Sequence, residues 1–176
     1  MSNDGYVACI CEGSAEKAII ELLLEEDKLQ FDRGKMIENE VIQCRDGKSF
    51  EVKYLRKYFE LKITVYRILD SRRENFKLSK AYAEKIKVVN VITAPEIEML
   101  VIFNEDKYDD FKKSRLKPSL FCKTILKYKN VKSYIFIKEY FKDPDVLISC
   151  LKKYKSKSAV KSGECTLFDL LKPEFQ

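Results

Sequence analysis

The chain has 176 residues, 45% of them hydrophobic, with a formal net charge of +6 and no histidine. That length and balance fit one soluble domain with a real core, and no linker, low-complexity tract or internal repeat interrupts it. No apolar run approaches the ~20 residues that span a bilayer, and the lack of histidine removes Ser-His and Cys-His nucleophile pairs.

Acid–base chemistry therefore falls to carboxylates, lysine, tyrosine or a metal-bound water. Residues Met1 to Gly5 are polar, so no signal peptide is expected and the expected location is the cytoplasm. The cysteines (Cys9, Cys11, Cys44, Cys122, Cys150 and Cys165) have no C-x-x-C spacing. They read as small buried hydrophobes, and a zinc site is not expected.

Tyr6 to Cys11 is an apolar run that reads as a buried strand ending on Glu12 and Gly13. A helix is expected from Ser14 to Leu29, with Ser14 as N-cap and Ala15, Ala18, Ile19, Leu22 and Leu23 on one face. Residues 30–49 are polar, with a short strand expected at Val41 to Cys44, and Phe50 to Leu61 reads as a second helix. Ile63 to Leu69 is a strand that ends on Asp70. Leu78 to Ile86 reads as helical, and Val88 to Ile92 as a third strand running into Thr93-Ala94-Pro95-Glu96-Ile97-Glu98. The helix that follows, to about Phe103, is apolar nearly all round and belongs in the interior.

Beyond it the pattern predicts helices at Tyr108 to Ser114, Pro118 to Leu126 and Asp143 to Tyr154, and a short apolar helix at Cys165 to Leu171. A strand is expected at Val131 to Ile137 and a loop at Lys155 to Gly163. The alternation of strands and helices predicts an α/β fold with a mostly parallel sheet and helices on both faces. Continuous apolar strands are what buried parallel strands require. Within the single domain, residues 1–106 form the core and residues 107–176 a basic, mainly helical extension.

Three predicted strand ends carry acids: Glu12 with Glu16, Asp70, and Glu98 with Glu96. In a parallel sheet these ends share the edge where ligands sit. Carboxylates from separate strands suit Mg²⁺ or Mn²⁺, hard ions that prefer oxygen, whereas like charges packed without a cation resist ionisation. Each acid also has a plain structural role open to it. Glu12 and Asp70 could be turn residues, and Glu16 sits where a helix dipole favours an acid. Thr93-x-x-Glu96 has the spacing of a capping box, the favoured role for Glu96. Glu98 needs a partner, either a metal ion or Arg72 or Arg73.

Cys11-Glu12-Gly13-Ser14-Ala15-Glu16 after an apolar strand resembles the opening motif of the TOPRIM fold of topoisomerases, primases and OLD-type nucleases. Ile68-Leu69-Asp70-Ser71-Arg72 stands in the place of that fold's Asp-x-Asp motif. Thr93-Ala94-Pro95-Glu96-Ile97-Glu98-Met99-Leu100 is similar to a segment of RloB-like proteins, which are TOPRIM-related and linked to phage defence. The resemblance covers roughly residues 6–125. It implies a magnesium-dependent nuclease in which Glu12 is the acid/base or metal-binding glutamate, Asp70 a metal ligand and Glu98 a supporting acid. Arg72 replaces the second acid of Asp-x-Asp. Either Glu16 or Glu98 then takes that acid's place, or the chain is an inactive homologue.

Lys107 to Lys157 carries 15 basic residues against 5 acidic ones, and the rest of the chain 19 against 23. Lys127, Lys129 and Lys132 alternate with Tyr128 and Tyr134, a pattern that suits phosphates and unpaired bases but also a solvated lysine face. With Arg72 and Arg73 these lysines are the expected grip on nucleic acid, DNA or RNA. The first reading is thus a metal-dependent endonuclease serving anti-phage defence. The alternative is an inactive module of the same fold that binds nucleic acid or a partner ATPase. A phosphate-ligand sensor is the third reading, and a homodimer is compatible with a chain this small.

Overall fold

The computed structural model describes residues 5–56, 62–71, 76–158 and 164–176. Its centre is an open sheet of three parallel strands, β1 (Tyr6–Cys11), β2 (Ile63–Leu69) and β3 (Ile86–Ile92), in that spatial order. The register places Cys11 beside Ile68 and Leu69 beside Ile92, so the carboxyl ends of all three strands finish at one level.

The pleat sorts the strand residues into two faces. Val7, Cys9, Cys11, Tyr66, Ile68 and Val91 join the larger cluster, under α1 (Ser14–Glu25) and α4 (Glu96–Asn104). Ala8, Ile10, Ile63, Val65 and Ile86 pack on the other side with Phe50 and Tyr54 of α2 (Gly47–Tyr54). Helices thus cover both faces, as the continuous apolar runs of β1 and β2 require. The β3 strand is the exception, since Lys87 and Asn90 are exposed.

Helix α4 is buried on every side, from Glu96 through Phe103, as its lack of a polar face predicts. Cys9 and Cys11 are buried on the same sheet face, as expected from their spacing. Helix α1 stops at Glu25, four residues short of expectation. Asp27 takes a left-handed backbone, with φ of 52°, and Leu29 turns away to pair antiparallel with Leu171. The expected strand at Val41 to Cys44 is reduced to one bridge, between Ile42 and Ile10. Helix α2 starts three residues before Phe50, with Asp46 accepting the Ser49 N–H at 2.9 Å; the rest of the helix expected to Leu61 falls partly on residues 57–61, outside the described residues. Only α3 (Lys80–Ala83) is helical within Leu78 to Ile86, because Ile86 already pairs with Ile63.

The second half wraps the first. Helices α5 (Tyr108–Ser114) and α6 (Pro118–Thr124) follow α4, then α7 (Tyr134–Tyr140) packs on α1 and α8 (Pro144–Lys157) on α4. The strand expected at Val131 to Ile137 is instead the turn before α7 and its first residues. Ser133 caps that helix, accepting the Phe136 N–H at 3.1 Å. A strand would put Ile135 and Ile137 on one face, but Ile137 is fully buried and Ile135 is 68% exposed. Part of the loop expected from Lys155 belongs to α8, which runs through Lys157, and residues 159–163 lie outside the described residues. The final segment closes on the sheet edge, where the Ile92 N–H donates to the Cys165 carbonyl at 2.9 Å. A short 3-10 helix, Leu167–Leu170, then buries its leucines. No helix among the described residues is long and apolar enough to cross a membrane.

Leu100 is fully buried in α4. Leu100→Ala is expected to cost ~2–5 kcal/mol of stability, the range for emptying a buried leucine site. A shift of the urea midpoint with unchanged slope would show it.

Candidate functional site

The first acid is positioned by the end of β1. Glu12 donates its backbone N–H to the Ile68 carbonyl at 3.1 Å, and its side chain turns back across β2. There Glu12 Oε2 accepts the backbone N–H of Asp70 at 3.1 Å. Two of the acids singled out by the sequence are therefore neighbours at one strand end.

Glu16 reaches the same edge from the first turn of α1, and is 2% exposed. A Cβ at Gly13 would collide with the Glu16 carboxylate, so glycine at the turn lets this side chain fold back toward the strands. Thr93, fully buried at the end of β3, places its hydroxyl 3.0 Å from Glu16 Oε1 and 3.1 Å from the Leu69 carbonyl oxygen. One hydroxyl proton cannot serve two acceptors. The hydroxyl is therefore shared, donating to the Glu16 carboxyl or to the Leu69 carbonyl. Burial pushes the Glu16 carboxyl above its ordinary pKa, against the hydrogen bonds, that from Thr93 included, which lower it.

Glu98, on the first turn of α4, is 5% exposed. Burial raises its pKa, and the Lys132 ammonium partly offsets that rise. Lys132 Nζ lies 2.9 Å from both carboxylate oxygens of Asp70 and 3.5 Å from Glu98 Oε1. Burial acts to lower the pKa of Lys132, but the hydrogen bond to Asp70 and the charges of Glu98 and Asp70 outweigh it, so the amine is held protonated. The turn that carries Lys132 is fixed by Ser14, whose hydroxyl donates to the Lys132 carbonyl at 3.1 Å. Ser14 is thus the first residue of α1 rather than its cap, which is Gly13.

Glu12, Asp70, Glu16 and Glu98 converge, and Lys132, expected only on a nucleic-acid surface, sits among them. Glu98 pairs with Lys132; Arg72 and Arg73, the partners expected for it, lie outside the described residues. Lys129 lines a groove beside Glu98, and Lys127 is exposed on the preceding turn. Glu96 makes no capping box with Thr93, because Pro95 is the cap of α4 and Thr93 is turned to Glu16. Glu96 is instead fully buried, with Oε2 accepting the Leu167 N–H at 3.4 Å and a pKa pushed up to about 8 by burial. Neither the pairing of Thr93 with Glu16 nor that of Lys132 with Asp70 leaves a signal in the sequence, since each pair is far apart in the chain.

Carboxylates are the donors that a hard divalent ion prefers, and Glu98 Oε2 is buried without a hydrogen bond among the described residues. The donor set therefore fits Mg²⁺ or Mn²⁺ in kind. With the ammonium in place, however, no group of three or more cysteine, aspartate or glutamate side chains among the described residues is arranged to hold an ion.

Lys132→Met removes the cation that favours ionised Glu98, so the Glu98 pKa should rise further, as read by carboxyl-carbon NMR titration. Glu96 has a folded pKa of about 8 against an ordinary 4.5, so its protonated form is the one the fold favours. Its contribution is whole below pH ~4.5 and is lost as the pH rises toward ~8, on the order of a few kcal/mol. Glu96→Gln should flatten that part of the stability–pH curve, measured by urea unfolding from pH 5 to pH 9.

No protein-family model, curated protein or solved structure matches this chain, and the family resemblance rests on the motif residues alone.

Proposed function

We propose that the strand-end carboxylates form a metal-dependent site for hydrolysing nucleic-acid phosphodiesters, as in the endonucleases of the TOPRIM type that the motifs resemble. The observation that carries this reading is the gathering of Asp70, Glu98 and Glu16 near the ammonium of Lys132, with Glu12 joined to them through the Asp70 N–H. Acids brought from separate strand ends to one edge raise the negative charge density there, which a divalent cation relieves.

Glu12, Asp70 and Glu98 would hold the ion. When bound, Mg²⁺ or Mn²⁺ supplies charge stabilisation to a phosphate and a more acidic water. The chain's own residues do the rest. Glu12, exposed at the lip, can take a proton from the attacking water. Glu16, biased toward its protonated form beside Thr93, can hold a proton for the leaving oxygen. Lys132 is partly exposed, and its ammonium can turn from Asp70 to a phosphate oxygen when substrate arrives.

A second reading keeps Lys132 as a permanent counter-ion. The protein is then an inactive module that binds nucleic acid or an ATPase, favoured by the absence of a preformed ion cage among the described residues. The proposed location is the cytoplasm, and by the resemblance the nuclease reading belongs in anti-phage defence.

Purified protein incubated with plasmid, single-stranded DNA and RNA in Mg²⁺, Mn²⁺ or EDTA separates the two readings. Metal-dependent cutting that falls by a factor of ~10²–10⁴ in Asp70→Asn or Glu12→Gln, the usual size for a lost acid–base group, supports the enzyme. Binding without cutting in any metal supports the module.

A further inference from the structure

Two recesses open on either side of the Glu12-Gly13-Ser14 turn. On the α1 face a groove of about 560 Å³ runs from Ser14 and Glu98 out between Lys123, Lys129 and Lys132. On the α2 face a smaller recess, of about 280 Å³, is walled by Glu12, Gln43, Arg45 and Arg67. Each recess has an acid of the cluster and basic side chains in its lining; on the α2 face Arg45 is exposed, whereas Arg67 is buried. The acidic lip is therefore a ridge with positive charge on both flanks. Tyr128 forms part of the groove wall, its ring fixed by a hydrogen bond from its hydroxyl to Glu105 Oε1 at 2.9 Å.

We propose that a single-stranded polynucleotide crosses this ridge. The phosphates on one side of the reacting one are held by Lys123 and Lys129, and those on the other by Arg45. This deepens the hydrolytic reading of the site and rests on it. Cations on both flanks match a chain that continues in both directions. A mononucleotide or a terminal phosphate uses one flank only. Glu16 and Glu98 lie below the surface, at 2% and 5% exposure, so the backbone must dip to bring a phosphate near them. A single strand bends that sharply at little cost, whereas duplex DNA, with a persistence length of ~150 base pairs, resists it. A basic groove with an aromatic ring in its wall is also the usual platform for unpaired bases.

Fluorescence anisotropy in EDTA reads binding apart from cutting. The probes are labelled twelve-residue oligo-dT and oligo-U, the duplex of oligo-dT with oligo-dA, and a labelled mononucleotide. Both single strands should bind at least tenfold more tightly than the duplex or the mononucleotide. Lys123→Ala with Lys129→Ala, and separately Arg45→Ala, should each weaken single-strand binding severalfold. Each should also reduce the salt slope by ~0.7 for every phosphate that is no longer neutralised. Lys113→Ala, an exposed lysine on α5, controls for net charge and should leave binding unchanged. Equal affinity for the duplex or the mononucleotide, or an effect confined to one flank, overturns the proposal. If binding follows these variants while no metal supports cutting, the hydrolytic reading fails and the track stands. If cutting occurs and is indifferent to both flanks, the track fails and the hydrolytic reading stands.

Discussion

The ion pairs of Lys132 with Asp70 and Glu98 tie the acidic sheet edge to the second half of the chain. Parallel strands that end in register bring whatever follows them to one lip, and here an acid follows each. Left alone, Glu12, Glu16, Asp70 and Glu98 would repel one another. Lys132 answers Asp70 with two hydrogen bonds and Glu98 with an ion pair. Glu16, farther inside, is pushed toward neutrality instead and is tied to Thr93. A counter-ion thus acts at Asp70 and burial, which favours the neutral form, at Glu16.

That arrangement depends on the second half of the chain. Helix α7 docks along α1, where Tyr134 donates to Glu21 and Lys138 pairs with Glu25, and the turn before it delivers Lys132. Helix α8 packs on α4, and the segment after it bridges β3. The basic half is therefore structural to the acidic half rather than appended to it. Helix α4 is the shared element. Its apolar circumference fixes it between sheet and outer helices, and its first turn carries both Glu96 and Glu98 into the interior. A buried acid costs stability unless it is paired or protonated. Glu98 takes the first course and Glu96 the second, which is why only Glu98 faces the site with usable charge.

The ion pair of Lys132 with Asp70 is poised rather than closed. Lys132 is 41% exposed in its side chain and Asp70 39%, so water reaches the pair and the attraction is screened. A divalent ion or a phosphate can compete for either partner. The groove that begins at Glu98 and the recess that begins at Glu12 give a polyanion two approaches to the same ridge.

The sequence by itself determined the parts whose cause is local. Continuous apolar runs made β1 and β2, an all-round apolar stretch made the buried α4, and acids directly after strands put Glu12 and Asp70 at the strand ends. The family motifs, also local, singled out Glu12, Asp70 and Glu98 together. Only the tertiary structure decided the partners. Asp70 meets a lysine 62 residues later, and Glu16 a threonine 77 residues later. No periodicity records contacts of that range, because they follow from how helices dock and not from the spacing along any one of them. The same distinction explains the misread stretch at Val131 to Ile137. Its composition suits a strand, but a serine cap and a place for Ile137 against the core turned the residues that follow it into a helix, and so brought Lys132 to the acids.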